Sequence, residues 1–163
     1  LRVPCIVRWT SVITPNTETD EMGTTMDFLS TLVPLVGGKL PQDRKIDGYS
    51  IYPLLTDKNA KSPYSFFCYY ERAGNLAAIR QGNWKLHLRK PDERWAGNLP
   101  VKEALLDKKP TEDIPWLYDL STDIGETKNV IKSNQKIADE LMQMALDFDS
   151  SLTKGIRPSY KKD

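Results

Sequence analysis

Leu76-Ala77-Ala78-Ile79-Arg80-Gln81-Gly82-Asn83-Trp84-Lys85-Leu86-His87-Leu88 reads as two short strands around a glycine-containing turn. Gln81-Gly82-Asn83 separates two β-prone runs, which is the spacing of a β-hairpin. In the second run Trp84, Leu86 and Leu88 alternate with Lys85, His87 and Arg89. Side chains alternate across a strand, so one face should be buried and the other wet or ligand-facing.

Strand signals continue on both sides of the hairpin. Tyr64 to Tyr70 is aromatic and β-prone, and Trp116 to Leu120 supplies a further strand. A helix is expected from near Ser133, with Ile137, Leu141, Met144, Ala145, Phe148 and Leu152 on one face. Asp139, Glu140, Gln143 and Asp147 fall on the other, so the apolar face should close the core of the sheet. The fold class is therefore α+β: an antiparallel sheet of about four strands packed by a C-terminal helix. Lys90 to Pro115, with four prolines, is a long irregular stretch of the kind that is usually functional or disordered, with a short helix expected over Val101 to Leu106. The basic tail from Gly155 should fray.

Residues 1–62 read differently. Val3 to Trp9 is mostly apolar and predicts a buried strand. Thr24 and Asp27 have capping-box spacing, and Phe28, Leu29, Leu32, Val33 and Val36 follow at helical intervals. Gly37-Gly38 should end that helix, and Pro34 should tighten its last turn. Ile51 to Leu55 is a short apolar segment, and Lys58 to Pro63 marks a boundary, giving regions 1–62 and 63–163. A buried strand at the start needs neighbours. The chain is thus expected to begin in the middle of a larger fold, the alternative being an edge strand of a small self-contained domain.

Composition excludes some classes of function. Hydrophobic residues at 39% and charged residues at 28% suit a folded chain rather than a disordered one. A net charge of +1 gives no general attraction for polyanions, so no nucleic-acid partner is expected. No apolar run approaches the roughly 20 residues of a membrane span, so no membrane partner is expected either. Cys5 and Cys68 are too few for a disulfide framework, and each reads as a buried small hydrophobe. His87 is the single histidine, and one histidine makes neither a metal site nor a catalytic triad alone. Asp27 reads as a helix-start carboxylate, and Asp119 and Asp123 read as turn formers.

Three segments together resemble the formylglycine-dependent sulfatase (arylsulfatase) family. Arg2-Val3-Pro4-Cys5-Ile6-Val7-Arg8-Trp9, followed by Thr25-Met26-Asp27-Phe28-Leu29-Ser30-Thr31-Leu32, resembles the family's R-V-P-x-I-V-R-W-P-G strand and M-D-L-L-P-T-L helix. Ala77 to His87 resembles the A-V-R-x-G-x-W-K-L hairpin. Leu117-Tyr118-Asp119-Leu120-Ser121-Thr122-Asp123-Ile124-Gly125-Glu126-Thr127-Lys128-Asn129 resembles L-Y-D-L-x-x-D-P-x-E-x-x-N. The departures are local: Thr10-Ser11 for Pro-Gly, and Ser30 and Ile124 for prolines.

The resemblance implies that residues 1–62 are a strand-helix remnant of a large alkaline-phosphatase-like α/β domain, and that 63–163 are the C-terminal sulfatase subdomain. It further implies a parent that hydrolyses sulfuric esters of a carbohydrate or aryl alcohol with a formylglycine nucleophile and calcium. The family's C-x-P-x-R signature is not met: Cys68-Tyr69-Tyr70-Glu71-Arg72 has Arg at the last position but Tyr where proline belongs. The family draws its calcium ligands from segments upstream, so catalytic, metal and cofactor residues are expected to be none in this chain, with calcium and an N-terminal catalytic domain as partners in the parent.

Residues that could touch substrate are His87, Lys85 and Arg89 as a cationic strand face, Glu71 and Arg72 at a turn, and Trp95 as a ring that could stack on a sugar. Plainer readings are a solvated strand face for the first three and loop anchoring for Trp95; Arg2, which precedes the first apolar run, reads as an orienting salt-bridge residue rather than a direct contact. Other functions stay open: a non-catalytic module binding sulfated glycan, or part of a related phosphoester or phosphonate hydrolase. A periplasmic or secreted location is expected for the parent. Self-association or partial disorder of residues 1–40 is expected if their apolar surface is uncovered.

Overall fold

A computed structural model of the chain describes residues 3–71, 74–88 and 115–154. Arg2, Arg72, Arg89, Trp95 and the short helix expected over Val101 to Leu106 lie outside them. The chain divides into two compact units, Leu1–Ser65 and Phe66–Asp163.

In the second unit β1 (Phe67–Tyr70), β2 (Leu76–Gln81), β3 (Trp84–His87) and β4 (Trp116–Asp119) form one sheet in the order β1-β2-β3-β4. Every neighbouring pair is antiparallel. The β2–β3 turn is two residues, Gly82-Asn83, since Gln81 pairs with Trp84. Such a tight turn needs a positive φ, and Gly82 supplies it at 55° without the clash a side chain would bring. The register slips between Tyr69 and Tyr70, a bulge beside the turn to β2.

A 3-10 turn (Ile131–Ser133) leads into α3 (Gln135–Lys154), which lies across β2 and β3. Leu76, Ile79, Leu86, Leu88 and Leu117 of the sheet region pack against Ala138, Leu141 and Ala145 of α3. Ile79, Leu86 and Leu117 are fully buried. Each such leucine or isoleucine is worth about 1.5–3 kcal/mol relative to exposure, so this core holds the unit together. The two alanines let the helix backbone approach the sheet, and Phe66 meets Phe148 edge to face at 5.4 Å to seal one end.

The first unit corrects one expectation. Residues 3–9 form no strand: Val3, Ile6, Val7 and Trp9 are exposed, and the chain turns back where Val12 and Ile13 donate to Trp9 O. A strand exists through its pairing partner, and the described residues place none beside this run. In α1 (Asp27–Leu35) the apolar residues face outward, with Phe28, Leu29, Leu32 and Val36 exposed. The buried residues are Asp27, Ser30 and Thr31.

Their partners explain the inversion. Asp27 accepts from Thr24 N at 2.6 Å, from Tyr49 N at 2.9 Å and from the Tyr64 hydroxyl. Ser30 Oγ donates to Gly48 O, and Thr31 Oγ1 accepts from Ile51 N. The chain at 48–51 lies so close that a Cβ on Gly48 would stand 2.1 Å from Met26 O. Burial pushes the Tyr64 phenol up to about 12, and the Asp27 carboxylate adds to the shift. Gly37 closes α1 with φ 76°, and Gly38 N reaches back to Val33 O. Ile51 to Leu55 becomes the short helix α2 (Tyr52–Thr56).

Candidate functional site

The face of the sheet opposite α3 gathers polar and aromatic side chains in rows. The register places Arg80, Lys85 and Tyr118 in one row, and Ala78, His87 and Trp116 in the next. This is the face that alternation makes wet, yet Lys85 is only 5% exposed. A buried ammonium must have a partner, because an isolated charge away from water costs far more than folding can offset.

The partner is Glu126, which lies beyond β4 in the segment leading to α3. Its Oε1 meets Lys85 Nζ at 2.5 Å and its Oε2 meets His87 Nε2 at 2.6 Å. Lys85 Nζ also sits 5.3 Å from the centre of the Tyr69 ring, and the His87 ring meets Tyr118 edge-on at 5.6 Å. Burial, then the Lys85 charge, holds the His87 imidazole below its ordinary value of 6.5, despite the pull of Glu126. Burial works to raise the Glu126 carboxyl, but the hydrogen bonds from Lys85 and His87 overcome it and keep it below the ordinary carboxylate value. The group at neutral pH is therefore one carboxylate, one ammonium and one neutral imidazole, and its charges cancel. A neutral imidazole facing a carboxylate carries its proton on Nε2.

Glu126 reaches this position through an unusual backbone. Its φ is 54°, a left-handed conformation that costs a non-glycine residue roughly 1 kcal/mol. The turn before it is organised by Asp123, which accepts from Thr127 N and Lys128 N at 2.8 Å each. These bonds hold the Asp123 carboxyl below its ordinary value. Asn129 Oδ1 accepts from both Leu117 N and Ile131 N, tying the end of the segment to β4. Asp119 accepts from Ser121 N and Ser121 Oγ. The acidic and amide positions of the third motif are thus structural.

Of the candidates read from sequence, Lys85 and His87 come together on this face. Glu71 lies in the turn between β1 and β2, its N–H bonded to Asn75 O. Sequence reasoning missed Glu126. Its signal was a glutamate three residues after the turn-forming Asp123, in a segment that must return to the sheet.

The two cysteines among the described residues differ in their surroundings. The Cys68 thiol is buried, and burial pushes it up to about 12, far from a nucleophilic thiolate. Cys5 is exposed, which corrects its reading as a buried hydrophobe. No three His, Cys, Asp or Glu among the described residues stand together as a metal site would require. For calcium the fit is poor, since the oxygens of Asp27, Asp123 and Glu126 already accept protein hydrogen bonds. No described helix is long and apolar enough to cross a membrane.

Comparison with known proteins gives consistent matches. The profile for the C-terminal region of aryl-sulfatase covers residues 62–161, and that for the C-terminal part of N-sulphoglucosamine sulphohydrolase covers residues 1–96. Arylsulfatase from Hemicentrotus pulcherrimus is 37% identical over 139 residues, which is 77% of this chain and 25% of that protein. Arylsulfatase A from Bos taurus is 28% identical over 166 aligned residues, covering 95% of this chain and 32% of that protein. A crystal structure of a sulfatase from Pseudoalteromonas sp. matches with a TM-score of 0.67 at 17% identity, over 90% of this chain and 29% of that one. At that identity it speaks for the fold alone. The chain spans about a quarter to a third of the length of these relatives.

Proposed function

This chain belongs to the sulfatase family as a C-terminal part of an arylsulfatase-like protein, and we propose that it completes an enzyme hydrolysing sulfuric esters without supplying the reacting groups. The observation that carries this reading is the match of the aryl-sulfatase C-terminal region over residues 62–161, nearly the whole sheet-and-helix unit. The substrate would be a sulfated carbohydrate or an aryl sulfate, in an enzyme located in a periplasm or outside the cell. A larger catalytic domain would be the partner of this chain, and would hold the nucleophile and a calcium ion.

The chemistry of the described side chains supports a non-catalytic role. Cys68 is held as a thiol, and the carboxylates of Asp27, Asp123 and Glu126 are engaged within the fold. The sheet face with Lys85 and His87, together with Glu71, Arg72, Arg89 and Trp95, would wall one side of the parent's pocket. Lys85 would act there through its pairing with Glu126 rather than as a free cation. That neutrality also weighs against a module that captures sulfated glycan through Lys85.

The test is turnover of a chromogenic aryl sulfate, a sulfated oligosaccharide and an aryl phosphate. Each is assayed with and without calcium, on this chain and on a polypeptide extended upstream from its coding sequence. Sulfate release only by the extended polypeptide is expected. Turnover by the 163-residue chain alone would refute the non-catalytic role, and release from the phosphate ester alone would move the parent to the phosphoester hydrolases.

A further inference from the structure

We propose that the bridge from Glu126 to His87 and Lys85 is an acid-released latch on the segment between β4 and α3. The proposal rests on the geometry of this unit and is independent of the sulfatase reaction. The segment is anchored at its ends, where Leu120 N donates to Asn83 O at 2.7 Å and Val130 N donates to Leu117 O at 2.9 Å. Between them, for residues 124–128, the bonds to the sheet among the described residues are those of the Glu126 side chain.

Charge makes this bond sensitive to protons. Arg80 of β2 stands opposite Lys85 of β3, and Lys85 and His87 share that strand face. The rings of Tyr69 from β1 and Tyr118 from β4 close around them, while α3 packs on the other face. Glu126 is the carboxylate that bonds to this group, and Asp123 of the same segment is occupied by the amides of Thr127 and Lys128. With the imidazole neutral the Lys85–Glu126 pair is balanced, while Arg80 is turned to Gly82 O. A proton on His87 adds a second positive charge beside a buried ammonium, with one carboxylate to serve both. Lifting the segment lets His87 and Lys85 meet water, and frees Glu126 from its left-handed backbone at φ 54°. Proton uptake and opening are thereby coupled, in line with the lowered proton affinity of His87 in the closed form.

Amide hydrogen exchange on the full chain at pH 7.5 and pH 5.5, corrected for intrinsic rates, tests this. Protection of the Glu126, Thr127, Lys128 and Leu117 amides should fall roughly threefold or more at the lower pH, while the Ile79 and Leu86 amides in the core hold steady. His87→Gln should remove that pH dependence. Glu126→Gly should give low protection at both pH values, because the backbone is accommodated and the latch is gone. Unchanged protection in the wild type, or the same pH dependence in His87→Gln, overturns the proposal. If His87→Gln does not fold, imidazole NMR of the wild type decides. A His87 titration that coincides with the exchange transition supports the latch, and a transition with no such titration refutes it.

Discussion

Glu126→Ala should be the most damaging single change on the outer face of the sheet. Lys85 is 5% exposed, and its ammonium lies 2.5 Å from Glu126 Oε1. Removing the carboxylate leaves a buried cation without its countercharge, a class of change that costs about 3–5 kcal/mol. The Glu126 side chain is 25% exposed, so water relieves part of this and the low end, about 3 kcal/mol, is expected. Alanine keeps the left-handed strain, whereas Glu126→Gly relieves it and should recover roughly 1 kcal/mol. Lys85→Met removes the stranded charge, so Lys85→Met/Glu126→Ala should be more stable than Glu126→Ala alone by about 2 kcal/mol. Urea unfolding followed by tryptophan fluorescence measures these differences, provided the slope m is unchanged. Trp84 and Trp116 report on the sheet. A cost below about 1 kcal/mol for Glu126→Ala, or single-variant costs that simply add in the double variant, would refute the pairing as an energetic unit.

Three further outcomes are expected. The Tyr64 phenol titrates at about 12 in the fold against an ordinary 10.0, so its contribution to stability is complete below pH 10 and lost as pH rises through 12. Tyr64→Phe should flatten that part of the alkaline unfolding profile, and an unchanged profile would remove Tyr64 as its source. Gly48→Ala should destabilise the first unit by roughly 3 kcal/mol or more, since its Cβ would meet the Met26 carbonyl at 2.1 Å; circular dichroism melting checks this, and a neutral result would mean the backbone separates easily there. Under native conditions a thiol reagent should modify Cys5 and spare Cys68 until the protein unfolds, as read by peptide mass spectrometry; equal labelling would contradict the burial of Cys68.

The sheet-and-helix unit was legible because its sequence obeys local rules. Alternation over Trp84 to Leu88 and the 3.6-residue spacing of Leu141, Ala145 and Phe148 both report contacts that the structure makes. The first unit was less legible because its apolar runs do not face its interior. Val3 to Trp9 is apolar without a partner strand among the described residues, and α1 hides Asp27, Ser30 and Thr31 while Phe28, Leu29 and Leu32 stay exposed. Hydrogen bonds to residues about 20 positions away decide that orientation, and hydrophobic spacing carries no trace of them. On the outer face, Lys85 and His87 could be placed together from the strand period. Glu126, some 40 residues on, could not, because its approach depends on a left-handed backbone and a turn built by Asp123.

The hydrogen bonds from α1 to residues 48–51 also have an entropic consequence. Dispersion contacts have less directional preference than hydrogen bonds, so apolar packing alone fixes the roll of a helix less sharply. Donors and acceptors at 2.7–3.0 Å are directional, and contacts at Asp27, Ser30 and Thr31, all within about one turn on one side of α1, fix the angle of the helix about its own axis. The stripe of Phe28, Leu29 and Leu32 is consequently aimed before it meets any surface. Whatever comes to cover it finds the rotational freedom of the helix already removed, and that part of the ordering cost falls on folding rather than on association.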